Sequence, residues 1–98
     1  MTPAAGEIWL ADRGDDERRL VFVISDVRFH RLAERAVVAP VLDHALASPR
    51  PWHVLAGGHT VAVNQLVTTS LDRLLERVES AGFETLRQVQ RAVHEITR

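Results

Sequence analysis

The chain has 98 residues, 46% of them hydrophobic, with 12 basic against 13 acidic side chains, a formal net charge of −1 and no cysteine. This length predicts one folded domain over residues 1–98, and the apolar content excludes disorder. The missing cysteines exclude disulfides and thiolate metal sites, and the balanced charge argues against a strongly basic polyanion or DNA binder.

Glu7–Ala11 reads as a short strand with Trp9 on one face, followed by a charged turn, Arg13-Gly14-Asp15-Asp16-Glu17-Arg18. Leu20–Ile24 is a continuous β-branched and apolar run, which marks a strand buried on both faces. Asp26–Arg35 scatters Phe29 and Leu32 among charges and fits a short helical or irregular crossover. Ala36–Leu42 is a third strand, in which Pro40 implies an edge position or a bulge. His44–Pro51, with Ser48, Pro49 and Pro51, is a loop.

Trp52–Leu55 and Thr60–Val63 flank Gly57-Gly58 and predict a hairpin, and Gln65–Thr69 could add another strand. Over Ser70–Ser80 the spacing of Leu71, Leu74, Leu75 and Val78, with Ser70 as a cap, by itself predicts a helix. Phe83–Ile96 is the clearest helix, with Phe83, Leu86, Val89, Val93 and Ile96 along one stripe that suits packing on a sheet. These elements predict a mainly β fold with a C-terminal helix, a small barrel-like antiparallel sheet closed by that helix. A chain this small often completes its core by pairing with a second copy, so a homodimer is expected.

No apolar run approaches the roughly 18–20 residues that span a bilayer. The segment Met1–Gly6 lacks the basic start and apolar core of a signal peptide, so a cytoplasmic location and no membrane partner are expected. All twelve basic residues are arginine. That bias fits a GC-rich genome, although arginine also grips phosphate at two points.

Several side chains could carry chemistry. Arg18 and Arg19 open the second strand, and because neighbouring strand residues face opposite ways, only one can reach a given site. His53 carries an imidazole, the side chain best suited to acid/base work, while Trp52, between Pro51 and His53, could stack on a base. Trp9 is more suited to the core. Asn64 and Gln65 could read base edges, or pair at a sheet edge instead. No two of the five histidines have the i, i+4 helical spacing of a metal site, so neither metal nor cofactor is expected.

The order of these segments resembles the MazF/PemK family of bacterial toxins. Gly6-Glu7-Ile8-Trp9 is similar to the family's opening, and Arg19 before Val21-Phe22-Val23-Ile24-Ser25 resembles its Arg-Pro-Val-Leu-Val-Ile-Ser, with Leu20 replacing proline. Ala36–Val41 is similar to the strand leading into its Pro-Leu-Thr. Pro51-Trp52-His53-Val54 resembles a segment that in some members supplies a histidine to the RNA groove. Asn64-Gln65-Leu66 and Thr68 match its Asp/Glu-Gln-Ile/Val-x-Thr, and Arg73-Leu74 its ending.

The resemblance implies the SH3-like barrel shared by MazF and CcdB toxins. It also implies a single helical turn at Ser70–Leu74 and a strand at Leu75–Val78, in place of the helix. It further implies the toxin of a type II toxin–antitoxin pair, a homodimeric, metal-independent endoribonuclease cutting single-stranded RNA. Its antitoxin partner would lay a flexible acidic tail across the RNA groove. On this reading Arg19 stabilises the phosphate and His53 assists, while Arg18, Trp52, Asn64, Gln65 and Thr68 hold RNA.

One position departs: where the family carries threonine or serine two residues after the proline, this chain has Leu42. Ser25, Thr68 and Thr69 are the hydroxyls that could substitute. Two other expectations follow: a dimer that binds RNA or protein without cutting, and a gyrase-directed toxin of the same fold. The CcdB-type Trp-Gly-Ile ending is absent, since the chain ends Glu95-Ile96-Thr97-Arg98.

Overall fold

The computed structural model describes residues 2–12, 17–42, 44, 46 and 48–97. The expected turn at Arg13-Gly14-Asp15-Asp16 and part of the expected loop at His44–Pro51 lie outside these residues. Among the described residues seven strands and two helices follow in chain order: β1 (Glu7–Asp12), β2 (Arg18–Val23), α1 (Val27–Ala33), β3 (Arg35–Leu42), β4 (His53–Ala56), β5 (His59–Ala62), β6 (Val67–Ser70), β7 (Leu74–Ser80) and α2 (Phe83–Thr97). Single 3-10 turns at Val63–Gln65 and Leu71–Arg73 bracket β6. The antiparallel sheet runs β4-β5-β3-β2-β1-β7, with β6 added on β3.

The expected double burial of the second strand has a direct cause, because a core lies on each side of it. Phe22 joins Ile8, Ala39, Val61, Val63, Val89 and Ala92 between the sheet and α2. Its neighbours Val21 and Val23 pack with Trp9, Ala36, Val38 and Leu74 on the opposite face. Strand alternation feeds both clusters from the same residues. Of the expected α2 stripe, Val89 is buried and Leu86 and Val93 are partly covered. Phe83 is 74% exposed, its ring lying 5.9 Å from the Arg87 guanidinium, and the last-turn Ile96 is 38% exposed. The helix packs on the sheet along its middle and overhangs it at both ends.

The hairpin is present, with Gly57 (φ 57°) and Gly58 (φ 87°) between β4 and β5. Positive φ at both turn positions is what a two-residue type I′ turn needs. The crossover is helical: the Asp26 carboxylate accepts from Phe29 N–H at 3.0 Å as the N-cap, and Glu34 ends the helix in the left-handed region at φ 55°.

Pro40 corrects the edge expectation. β3 is interior, paired with β2 on one side and with β6 and then β5 on the other. β6 pairing ends at Val38 and β5 pairing begins at Val41, so the proline occupies the gap where β3 changes partner and a ladder donor is not required.

The helix that spacing alone predicts over Ser70–Ser80 is not formed. Leu71–Arg73 is one 3-10 turn and Leu74–Ser80 is a strand on β1, so the family-based expectation holds. Of the four periodic residues only Leu74 is buried, while Leu75 and Val78 are 43% and 51% exposed. Without β7, the backbone of β1 on that side would lack partners, and this long-range demand outweighs local periodicity. Ser70 does not cap a helix, and its hydroxyl donates to the Asp72 carboxylate instead.

Two polar knots hold the chain's start. Glu7 Oε1 accepts from Ala4 N–H at 2.8 Å and Trp9 Nε1–H at 3.0 Å, and its Oε2 accepts from Arg77 Nη1 at 3.2 Å. The opening Gly-Glu-Ile-Trp thereby joins β1 to β7. Burial pushes the Glu7 carboxyl up, but the bonds from Trp9, Ala4 and Arg77 outweigh it and hold the group below the usual carboxylate value. A lowered folded-state pKa adds stability above the ordinary glutamate range, lost as pH falls through the lowered value. Glu7→Gln is therefore expected to cost on the order of 1–3 kcal/mol near pH 7. That cost should shrink in acid melts, and identical Tm values for the two proteins at pH 7 would contradict it.

The second knot is the fully buried His30. Its Nδ1–H donates to Pro3 O at 2.9 Å, since a carbonyl only accepts, and its Nε2 therefore accepts from Ser25 Oγ at 2.7 Å. Val37 N–H donates to the same Ser25 oxygen at 2.8 Å.

Candidate active site

A cavity of about 550 Å³ opens where β1, β2, β3 and β6 meet, within the usual range of ligand sites, about 300–1,000 Å³. Its apolar wall includes Val21, Val38, Pro40, Leu66 and Val67, and its polar groups are Asp12, Arg19, Gln65, Thr69 and Arg73. Backbone register explains the convergence. Ala11 lies opposite Arg19, and Trp9 opposite Val21, so these positions share the face of the second core cluster. Val38 and Pro40 on β3, and Val67 and Thr69 on β6, reach the cavity through the same two-residue period.

Arg19 lines this cavity, and Arg18, opposite Asp12 in register, does not. The Arg19 Nη2 lies 2.6 Å from Glu17 Oε2, with both side chains more than half exposed. An ion pair in such solvent contact is worth about 0–1 kcal/mol. Arg73 brings a second guanidinium to the cavity from the 3-10 turn, and Asp12 a carboxylate from the end of β1.

The other candidates distribute unevenly. Gln65 lines the cavity, whereas its exposed neighbour Asn64 does not. Thr68 faces away from the cavity by alternation and Thr69 lines it. Leu42 shares a strand face with Val38 and Pro40 but sits opposite Thr60 and is not part of the wall. Thr60 itself is buried, donating its hydroxyl to His44 O at 3.0 Å and accepting from Leu46 N–H at 3.3 Å.

His53 and Arg19 do not meet within one chain. His53 lines a second cavity of about 640 Å³ between β4 and α2, with Arg50, Gln88, Arg91 and Glu95. Its Nδ1 accepts from Arg50 N–H at 2.9 Å, which fixes the neutral ring as the Nε2–H tautomer. Taking a proton on Nδ1 would break that bond. Trp52 is half-buried, packs edge-on against the His53 ring at 6.0 Å and lines neither cavity. Among the described residues no three His, Asp or Glu side chains are grouped so as to hold a metal ion, and no helix is long and apolar enough to cross a membrane.

Arg73 and Asp12 were not among the residues that the sequence singled out for a site. Arg73-Leu74 stands out only as an ending motif, and Asp12 as the last residue of a strand. Neither carries a local signal: Asp12 reaches the cavity from the end of β1 and Arg73 from the 3-10 turn before β7.

The fold has counterparts of known structure. The fold is similar to that of a chain in the MazE-MazF crystal structure from Deinococcus radiodurans, with 19% identity, 98% of this chain and 95% of that chain covered, and a TM-score of 0.82. A mycobacterial endoribonuclease in complex with its cognate antitoxin gives 17% identity, 96% and 93% coverage, and a TM-score of 0.83. The Mycobacterium tuberculosis toxin MazF-mt6 gives 14%, 91% and 93%, and 0.69. At these identities the likeness speaks for the fold. No curated protein matches the sequence. The family model described as PemK-like, MazF-like toxin of type II toxin-antitoxin system matches residues 4–97. Matched from its fourth residue to its second-last, the chain belongs to the PemK-like, MazF-like toxins of type II toxin–antitoxin systems.

Proposed function

We propose that this protein is the ribonuclease toxin of such a pair, cleaving single-stranded RNA in the cytoplasm without a metal. The observation that carries this reading is the cavity that joins Arg19 to Arg73, Gln65 and Thr69 beside an apolar wall. In the reaction a ribose 2′-oxygen attacks the adjacent phosphorus, the P–O5′ bond breaks, and charge gathers on the non-bridging oxygens. Arg19 answers that charge with a permanent cation whose planar fork matches phosphate oxygens. Arg73 holds the same or the neighbouring phosphate, and Gln65 hydrogen-bonds a base edge or sugar.

Asn64, Thr68, Arg18, Trp52 and His53 belong to the flanking RNA surface in this reading. Because His53 lines a separate cavity of the chain, an acid/base role at the Arg19 phosphate requires a second copy to bring its own His53 there. A homodimer is in keeping with the large apolar side chains left exposed, Leu55, Val67, Leu75 and Val78 among them. The antitoxin would be a separate small protein with an acidic segment, matched to the cavity's two guanidiniums.

The test is incubation of the purified protein with a long single-stranded RNA in EDTA. Cleavage leaving 2′,3′-cyclic phosphate and 5′-hydroxyl ends is expected. Arg73→Ala should raise KM several-fold with a smaller effect on kcat, the mark of a group that binds ground state and transition state alike. An unchanged KM would remove Arg73 from the site. Leu42, where the family has a hydroxyl, favours one second reading, a dimer that binds RNA and leaves it intact. RNA retained but uncut in the same assay would establish it.

A further inference from the structure

The second cavity, between β4 and α2, shares no lining residue with the Arg19 cavity. We infer that it holds a phosphate of the bound single-stranded RNA away from the bond being cut, gripped between the Arg50 and Arg91 guanidiniums with Gln88 beside them. The inference rests on the reading above for its ligand, RNA, and not for the cutting step.

Local structure fixes both walls. On one side Arg50-Pro51-Trp52-His53 is a β-turn: His53 N–H donates to Arg50 O at 2.9 Å, and the fixed φ of proline suits the second turn position. Arg50 N–H returns a bond to His53 Nδ1 at 2.9 Å, and Val63 N–H donates to Trp52 O at 3.0 Å. The Arg50 main chain is thereby anchored while the residue stays exposed. On the other side Gln88, Arg91, Ala92 and Glu95 have the i, i+3, i+4, i+7 spacing of one helix face. Ala92 is buried in the same cluster as Val54, the residue after the turn, so this face of α2 is directed at β4.

The charge of the walls selects an anion. Two guanidiniums line the cavity against one carboxylate, in a chain whose formal net charge is −1. Neither Arg50 nor Arg91 makes a side-chain hydrogen bond or ion pair among the described residues, whereas Glu95 already has an interaction. An arginine without a carboxylate keeps its whole fork for a ligand, and phosphate oxygens match that fork. The Gln88 amide adds two N–H donors. Pro49, Pro51 and Leu55 form an apolar ledge beside these groups. A phosphate remote from the cut carries the same charge in the ground and transition states, so this contact lowers KM and leaves kcat alone.

The test measures binding of a labelled single-stranded RNA by fluorescence anisotropy in EDTA, over about 50 to 200 mM salt. Arg50→Gln/Arg91→Gln is compared with unsubstituted Arg50 and Arg91, both in the Arg19→Ala background so that the RNA stays whole. The same pair of substitutions in the otherwise unchanged protein gives KM, kcat and Tm. Weaker binding by several-fold is expected, with a log–log salt slope shallower by about 0.7 for the one phosphate released. KM should rise by a similar factor, with kcat and Tm close to the parent's. Arg50→Lys/Arg91→Lys should restore the salt slope and only part of the affinity, because lysine returns the charge without the fork. Unchanged affinity and slope in the glutamine pair, with a parent that still cuts RNA, overturns the inference and leaves the ribonuclease reading standing. A loss that comes with a lower Tm and that lysine fails to recover overturns it too, assigning the arginines a packing role. Unchanged RNA affinity with weakened binding of poly-glutamate overturns it in favour of an acidic peptide. A parent that never cuts RNA but binds it with this arginine-dependent slope supports the site and sinks the ribonuclease reading alone.

Discussion

Arg19→Ala is expected to lower metal-independent RNA cleavage by at least on the order of 10²–10³-fold while leaving Tm within a degree or two of the parent. The first half follows from placement. Arg19 stands at the cavity, and its pairing with Glu17 is exposed to solvent. In the transition state the phosphate carries more negative charge than in the ground state, so the loss falls on kcat more than on KM. The second half follows from exposure. With 54% of its side chain in solvent, Arg19 contributes little packing that alanine would remove. Arg19→Lys tests the geometry further. Lysine restores the charge but not the planar fork, and partial recovery is expected. Full activity in Arg19→Ala, measured beside the parent in EDTA, would refute the role. Arg18→Ala, outside the cavity lining, is the informative comparison, and the two variants should differ by at least tenfold.

Phe22→Ala carries the largest expected effect on stability, about 3–5 kcal/mol. Phe22 is wholly buried, paired in register with Ile8 on one side and Ala39 on the other, and packed in the cluster that α2 covers. Truncation would leave a void at the centre of the sheet, where neighbouring strands on both sides restrict collapse into it. A domain of this size has about 5–15 kcal/mol in total, so the variant should melt far below the parent or fail to fold. Phe22→Leu, which keeps most of the volume, should retain the fold at a smaller cost. Urea unfolding of all three proteins checks the order, and a Phe22→Ala midpoint equal to the parent's would show that the α2 face is not the main core.

The two sets of variants separate the layers of the molecule. Arg19 lines a cavity whose floor is the second core cluster, while Phe22 belongs to the first, beneath α2. The buried knot of Pro3, Ser25, His30 and Val37 joins the chain's start to α1 and β3 and takes Ser25 out of contention for chemistry.

What the sequence by itself determined is what local physical chemistry controls. The β-branched run at Leu20–Ile24 could only be a strand covered on both faces, Gly57-Gly58 required a hairpin turn, and the stripe around Val89 required a helix on a sheet. The ordered motifs pointed to the family that the match over residues 4–97 shows. Tertiary structure decided the rest. Leu71, Leu74, Leu75 and Val78 have helical spacing yet became a turn and a strand, because β1 offered backbone partners that no local pattern records. The cavity draws on residues from Ala11 to Arg73, brought together by pairing between strands far apart in the chain. Shifting a strand by one residue would exchange Arg19 for Arg18, or Thr69 for Thr68. Which arginine and which threonine line the cavity is therefore a property of register, and register exists only once the sheet has closed.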